Sequence, residues 1–358
     1  MRTGFAQLPL HGGAAPAWLF SRMARLAREI VSLAVSDHGP AEVLARLSDP
    51  FWFQALGCVL GFDWHSSGLT TTTCAAIKEG IRGLEHDLGL FAAGGKGATS
   101  RKTPAQIRAA CESLSRDSEA LVHASKLSAK VDNSAVQDGY QLYHHSFFFT
   151  AAGDWCVVQQ GMNEANSMAR RYHWLGRQVD SFVNEPHAAV CCNSRAQTMN
   201  LVAGESAPAR EAMAELSRQP DQTVSHLVTR LPELKLPRRH AISAADINPR
   251  YLHKILLKTY ELAPADFEDL LAIQGVGAKT LRALALVAEL IYGTPVSTRD
   301  PARFSFAHGG KDGTPYPVDR QTYETTIATL HDLLRRSKIE RSERAAAFKN
   351  LASFVDKS

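Results

Sequence analysis

Leu142-Tyr143-His144-His145-Ser146-Phe147-Phe148-Phe149 is followed, after the turn Ala152-Gly153-Asp154, by Trp155-Cys156-Val157-Val158-Gln159-Gln160. Aromatic and β-branched residues on both sides of a Gly-Asp turn are typical of a β-hairpin. Successive side chains of a strand point to opposite faces, so only one of His144 and His145 can face a given pocket. The same alternation applies to Gln159 and Gln160.

The segments around this hairpin predict helices. Apolar residues recur every three or four positions, as in an amphipathic helix, at Trp18, Leu19, Met23, Leu26, Ile30 and Leu33. Pro104 suits the first position of another helix, after a flexible, basic loop over 92–104. We also predict a helix over 163–174. The expected fold class is therefore α+β and predominantly helical.

Three parts of the chain differ in pattern. Residues 1–205 contain the hairpin or small sheet and the candidate active site. Residues 206–245 hold several prolines without strong periodicity, which is typical of a connecting region. Residues 246–358 return to helical patterns and form the expected nucleic-acid-binding domain.

Composition is that of an ordinary soluble protein, with 45% hydrophobic and 21% charged residues. The formal net charge of +4 permits a polyanionic partner without requiring one. The six cysteines show no zinc-type spacing, so we expect reduced thiols in a cytoplasmic protein. No apolar run has the length of a signal peptide or a membrane span, which predicts no membrane partner.

The most specific motif lies between Leu270 and Leu284, which reads LLAIQGVGAKTLRAL. One amphipathic helix ends near Ile273, the glycines of a G-V-G turn free the backbone, and a second helix follows. The turn, Gly275, Val276 and Gly277, would present amide groups to a phosphate, and Lys279 would add charge. The segment resembles the helix-hairpin-helix of DNA repair and replication proteins, which holds the DNA backbone without reading its sequence. The alternative is a turn in a helical bundle that binds no ligand.

A second resemblance concerns Asp319. In helix-hairpin-helix DNA glycosylases a Val-Asp pair follows the second helix, and its aspartate is catalytic. Here Pro317-Val318-Asp319-Arg320 comes only after a long insert. Helix capping by Asp319 is the alternative, and a glycosylase or lyase stays a rival function.

Polar residues in the loops of the N-terminal part are candidates for catalysis: Asp63, His65, His145, His173 and Arg171. Asp63, His65 and His145 would hold a divalent metal, Mn²⁺ or Mg²⁺, that activates water for phosphodiester cleavage. Arg171, together with Lys96, would balance the charge of the scissile phosphate.

Each of these residues also has a structural interpretation. Asp63 could cap the helix that follows, His145 could be a hydrogen-bonded strand residue, and Arg171 could lie on a solvated helix face. Two-metal nucleases need several carboxylates in one place, and only Asp63, Glu79 and Asp132 can be nominated.

The glycine-rich run from Gly94 to Gly97, which contains Lys96, is shorter than a Walker A loop, and Arg101 and Lys102 follow it. We interpret these three cations as DNA-binding residues. A hydrolase nucleophile at Ser66 or Ser67 is not expected, because the G-x-S-x-G elbow is absent from that segment.

Four segments together resemble a bacterial and archaeal family of unknown function, numbered seven-six-three. They are RTGFAQLPLHGG at 2–13, GFDWHSSG at 61–68, QQGMN at 159–163 and RRYHWL at 170–175. The similarity runs over nearly the whole chain. It implies no catalytic residue, because the family carries no assigned activity.

The preferred function is a metal-dependent DNA nuclease in repair or maintenance, acting on single- or double-stranded DNA. The rivals are a DNA-binding scaffold without catalysis, a glycosylase or lyase, and an enzyme acting on RNA or a nucleotide. A homodimer is a further expectation, because many proteins that hold DNA are two-fold symmetric.

Overall fold

The computed structural model describes residues 15–62, 66–165, 167–192, 195–219, 249–303 and 320–357. Its centre is a five-stranded antiparallel sheet with strand order β1-β3-β4-β5-β6. These strands are β1 (Leu90–Lys96), β3 (Gln141–Thr150), β4 (Trp155–Asn163), β5 (Met168–Leu175) and β6 (Ala189–Cys191). A second, two-stranded sheet pairs β2 (Val136–Gln137) with β7 (Met199–Asn200). The α+β class predicted from the sequence is confirmed.

The predicted hairpin is formed by β3 and β4, whose register pairs Phe149 with Trp155 and His145 with Gln159. Gly153 in the turn has φ 97°, a conformation that glycine adopts without the strain a side chain would add. The hairpin lies at the middle of the sheet, because β1 and β5 pair with its two outer edges.

The helix predicted over 163–174 is wrong, because most of this segment is strand β5, paired with β4. Nearly every residue of β5 is buried, since helices cover both faces of the sheet. The polar-apolar alternation of a half-exposed strand is therefore missing from its sequence. Arg171 is fully buried, so its interpretation as part of a solvated helix face is also wrong.

The first face of the sheet, defined by Phe148, Cys156, Val158 and Leu175, packs against one hydrophobic cluster. Helices from both ends of the chain contribute to this cluster. They are α1 (Ala17–His38), α2 (Pro40–Ser48), α3 (Pro50–Val59), α4 (Gly68–Gly80), α12 (Arg320–Arg336) and α13 (Arg341–Lys357). A short helix, α5 (Glu85–Leu88), leads from this layer into β1.

The second face, defined by Phe147, Phe149, Val157 and Trp174, packs against another cluster. Its helices are α6 (Thr103–Ser113), α7 (Glu119–Lys130), α8 (Ala207–Ser217), α9 (Pro249–Leu262), α10 (Phe267–Ala272) and α11 (Ala278–Tyr292). Buried residues of α10 and α11 thus share a core with the hairpin strands. α8 lies within the segment interpreted as a connecting region, and the proposed division into domains stays a prediction.

The loop expected over 92–104 is largely regular structure. Its first half belongs to β1, and a 3₁₀ helix spans Gly97–Lys102. The helix expected at Pro104 is confirmed, since α6 begins at Thr103 with the proline in its first turn. Among the described residues, no helix combines the length and apolar character that a membrane span requires.

Candidate nucleic-acid interface

The sheet separates the described residues that were predicted to be catalytic, with His145 on one face and Arg171 and His173 on the other. Strand alternation places His145 on the second face, with Gln159 opposite it in β4. Arg171 and His173 alternate onto the first face. The structure therefore does not bring these two residues to His145.

Arg171 and His173 form a buried hydrogen-bond network on the first face. Arg171 Nε donates to His173 Nε2 over 2.8 Å, and its Nη1 donates to Gln54 Oε1 over 3.0 Å. The other ring nitrogen of His173 lies 3.1 Å from the carbonyl oxygen of Leu47. Burial, reinforced by the charge of Arg171, holds the pKa of His173 well below its usual value. These partners join β5 to α2 and α3.

Asp63 and His65 lie outside the described residues, as does Asp319. His145 is thus the one described member of the predicted metal set, and both of its ring nitrogens have hydrogen-bond partners, Ser125 and Gln159. This arrangement does not fit a metal ligand, which needs a free ring nitrogen. Within the described ranges, no group of three or more His, Cys, Asp or Glu side chains could hold a metal ion.

A cleft of about 1000 Å³ opens beside the start of β3. Its walls are the 3₁₀ helix that contains Arg101, the exposed side of α7, and the end of α10 with the following turn. Three cations line it, Arg101, Lys126 and Lys130, together with the histidines His123, His144 and His145. Among the described residues, no carboxylate lines the cleft, although Glu268 lies 3.5 Å from His123 Nε2. The cleft is therefore suited to an anionic ligand.

Two further predicted cations lie near this cleft. Lys96 ends β1 and is exposed, with its Nζ 6.0 Å from the ring centroid of Tyr143, a residue of the cleft wall. Lys102 is exposed and directly follows Arg101 in the 3₁₀ helix. The structure thus brings Lys96, Arg101 and Lys102 to one side of the molecule.

The G-V-G turn joins α10 to α11, and Ala272 and Gln274 line the cleft at this end. Gly275 has φ 101°, as expected, whereas Gly277 has φ −138° and is extended. Val276 is 1% exposed and packs into the second-face cluster. Gly277 precedes the first residue of α11, so the free amides of that helix follow closely in the sequence after Gln274 of the cleft wall. Lys279, in the first turn of α11, is exposed.

Lys130 fixes the position of α10 and the turn. Its Nζ donates to the carbonyl oxygens of Leu271 and, over 2.6 Å, Ile273. Burial, together with the charge of Lys258, lowers the pKa of Lys130 to about 8. Sequence reasoning missed this residue, because its partners lie far along the chain and no local pattern marks the pairing.

Gln137 provides a second connection to the turn. Its Nε2 donates to the carbonyl oxygen of Ala278 over 2.8 Å, and its Oε1 accepts from Arg282 Nε over 2.8 Å. β2 therefore holds the start of α11, as α7 holds the end of α10.

A chain of hydrogen bonds lies under the floor of the cleft. Ser125 Oγ is 2.9 Å from His145 Nε2, and His145 Nδ1 is 2.8 Å from Gln159 Oε1. Gln159 Nε2 donates to Asp132 Oδ2 over 2.6 Å. Ser125 and His145 both line the cleft. No local pattern marks Ser125, which lies in an ordinary amphipathic helix.

The geometry defines an α+β protein with a basic cleft between the sheet and its C-terminal helices. The family comparison agrees with the resemblance seen in the sequence motifs. A family model described as "Protein of unknown function (DUF763)" matches residues 4–318, and the chain belongs to that family. No curated protein and no solved structure matches the chain.

Proposed function

We propose that this protein binds DNA through its sugar-phosphate backbone, in the cleft beside the G-V-G turn. One observation carries the proposal: Ala272 and Gln274, in the segment that leads into the turn, line the same cleft as the cations Arg101, Lys126 and Lys130. The predicted helix-hairpin-helix, through Ala272 and Gln274, and the predicted basic loop, through Arg101, thus both contribute to one ligand-sized space.

The chemistry of the cleft matches a phosphate chain. The N-terminus of α11, a helix of 15 residues, carries partial positive charge and unpaired amides. Exposed lysine and arginine side chains neutralise further phosphates and release their counterions. Neither feature reads a base edge, so binding is independent of sequence.

The environment of Gly277 also supports contact with a ligand. A Cβ added at this position meets no atom within 4 Å, and its φ of −138° is open to any residue. The fold itself does not require glycine there, whereas close approach of a phosphate to the α11 amides does.

The proposal includes a cytoplasmic location, supported by six buried free thiols. A homodimer and a metal-dependent nuclease activity remain predictions. The nuclease prediction now rests on Asp63 and His65, and its test is DNA cleavage with added Mn²⁺ or Mg²⁺ by the wild type and Asp63→Ala.

Binding is tested by fluorescence anisotropy with a labelled duplex and the matching single strand, without added metal. Arg101→Gln/Lys126→Gln should weaken binding by about ten-fold, because two phosphate contacts are lost. Lys349→Gln is the matched control, since Lys349 is exposed on α13, outside the cleft. Equal weakening in the control, or no DNA binding by the folded wild type, contradicts the proposal. Tighter binding of RNA than of DNA of the same sequence would show that the ligand of the cleft is RNA.

A further inference from the structure

We propose that Ser125 is a nucleophile that cleaves a phosphodiester bond of DNA held in this cleft, with His145 as its general base. The inference rests on the proposed function, because the DNA cleft supplies the substrate. In this mechanism the nucleophile is the Ser125 hydroxyl, and not the metal-activated water that was predicted from the sequence.

The hydroxyl of Ser125 is turned away from its own helix. Several other helical serines donate to the carbonyl oxygen three residues before them, as Ser217 does to Ala214 over 2.7 Å and Ser128 does to Ser125 over 3.2 Å. Ser125 Oγ instead points to His145 Nε2, 2.9 Å away. A hydroxyl within hydrogen-bond distance of an imidazole is the arrangement that activates serine nucleophiles.

The tautomer of His145 follows from its second partner. Gln159 Nε2 donates to Asp132 Oδ2 and to the carbonyl oxygen of Ser128, so Gln159 Oε1 must face His145 as an acceptor. His145 Nδ1 then carries the proton, and the lone pair of Nε2 accepts from Ser125. Burial lowers the pKa of His145, which keeps the ring in the neutral form that a general base requires.

Asp132 in turn fixes the Gln159 amide. It is fully buried, and it also accepts from Trp174 Nε1 over 3.0 Å and lies 2.5 Å from His187 Nε2. Gln159 is therefore a positioning residue that acts through His145. The order serine, histidine, fixed acceptor is that of convergent nucleophilic triads, which are recognised by geometry and not by sequence position.

The reaction balances without a metal. Ser125 Oγ attacks phosphorus and passes its proton to His145 Nε2. The bond from phosphorus to the ester oxygen opposite Ser125 breaks, because the attacking and leaving oxygens lie in line. That oxygen takes a proton from solvent water as it leaves, and His145 releases its proton to solvent. A phosphoserine ester to the DNA end results, and water activated by the same histidine then hydrolyses it.

The surroundings favour a phosphodiester over a neutral ester. Arg101 and Lys126 line the same cleft as Ser125, and cations stabilise the charge that builds up on the phosphoryl oxygens. Ser125 is 3% exposed and His145 is 6% exposed, so both lie at the floor, where water is largely excluded.

Two assays on the full chain test this inference. A fluorophosphonate probe, which phosphonylates activated serines, should label Ser125, as located by peptide mass spectrometry. End-labelled DNA should give a covalent adduct that survives denaturing electrophoresis. Ser125→Ala should abolish both signals while retaining DNA affinity, since alanine favours the helix. Ser113→Ala, an exposed serine of α6, is the control and should keep both.

The role of Gln159 has its own readout, the pH midpoint of probe labelling. The hydrogen bond that His145 Nδ1 donates to Gln159 Oε1 raises the pKa of His145, so Gln159→Met should move the midpoint to lower pH. A purely structural role would leave the midpoint unchanged.

The outcomes separate the two proposals. DNA binding by a folded protein that gives neither label nor adduct overturns the nucleophile and leaves the cleft assignment intact. Labelling of Ser125 without DNA binding supports the serine nucleophile and overturns the DNA substrate.

Discussion

The ammonium nitrogen of Lys130 lies 2.6 Å from the carbonyl oxygen of Ile273, at the C-terminal end of α10. Through this contact α7, which packs on the sheet, holds the segment that leads into the G-V-G turn. The same helix carries Ser125 and Lys126 on its cleft side. One element therefore positions the turn, a cleft cation and the proposed nucleophile.

Lys130→Met should weaken both the fold and DNA binding. The substitution leaves the carbonyl oxygens of Leu271 and Ile273 without this donor, which costs about 1–3 kcal/mol in the free energy of unfolding. DNA affinity should fall by about five-fold, because the amides of α11 lose their fixed position. Urea unfolding and anisotropy measure the two effects. If a folded Lys130→Met variant binds DNA with unchanged affinity, the G-V-G turn is not part of the DNA-binding site.

The two glycines of the turn should behave differently when replaced by alanine. Gly275→Ala should reduce stability by about 1–2 kcal/mol, because a side chain is strained at φ 101°. Gly277→Ala should change stability by less than about 1 kcal/mol, the cost of alanine at a helix start. It should nevertheless weaken DNA binding, since its methyl group obstructs the α11 amides. Full affinity in Gly277→Ala would show that no phosphate approaches there.

Arg171→Met should act on stability and leave binding unchanged. Arg171 donates to Gln54 Oε1, His173 Nε2 and, over 3.2 Å, the carbonyl oxygen of Pro50. Removing these donors leaves buried acceptors unpaired, at a cost on the order of 3 kcal/mol. Chemical denaturation followed by a DNA titration of the folded variant provides the check. If Arg171→Met loses DNA affinity and keeps the free energy of unfolding of the wild type, Arg171 belongs to the DNA-binding site.

The protein should lose stability in acid through its buried histidines. Burial, with smaller contributions from the charges of His145 and Lys96, lowers the pKa of His144 to about 3. Between pH 6.5 and 3 the unfolded state takes up a proton at this residue and the folded state does not. The free energy of unfolding therefore falls with decreasing pH, by about 1.4 kcal/mol per pH unit for each such group.

His144→Gln should make this slope shallower, because the variant has no imidazole at this position for the unfolded state to protonate. Urea midpoints at a series of pH values give both slopes. Parallel curves for wild type and His144→Gln would show that His144 is protonated in the folded state.

Local patterns predicted the parts of the fold that depend on neighbouring residues. The β3–β4 hairpin, the helix start at Pro104 and the G-V-G turn each follow from residues close in sequence. β5 was not predicted, because a strand buried on both faces lacks the alternation of polar and apolar residues that marks a half-exposed strand. Because β5 was not predicted, Arg171 and His173 were grouped with His145, from which the sheet separates them.

The site itself could be predicted only in part. Exposed cations such as Arg101 and the glycines of the turn are visible as sequence patterns. Ser125, Lys130 and Gln159 acquire their roles from partners in other elements, and single-sequence periodicity carries no information on such contacts. The sequence patterns marked Arg101 and the segment before the turn, which line the cleft, and missed Ser125 and Lys130, which line it as well.

The salt dependence of DNA binding tests the central claim most directly. Anisotropy titrations over a range of NaCl concentrations give the slope of log Kd against log salt for the wild type, Arg101→Gln/Lys126→Gln and Lys349→Gln. If the cleft holds the phosphate backbone, the double variant should reduce the slope by about 2, one for each lost phosphate contact, and the control should match the wild type. The same slope for all three proteins would contradict the cleft as the DNA-binding site.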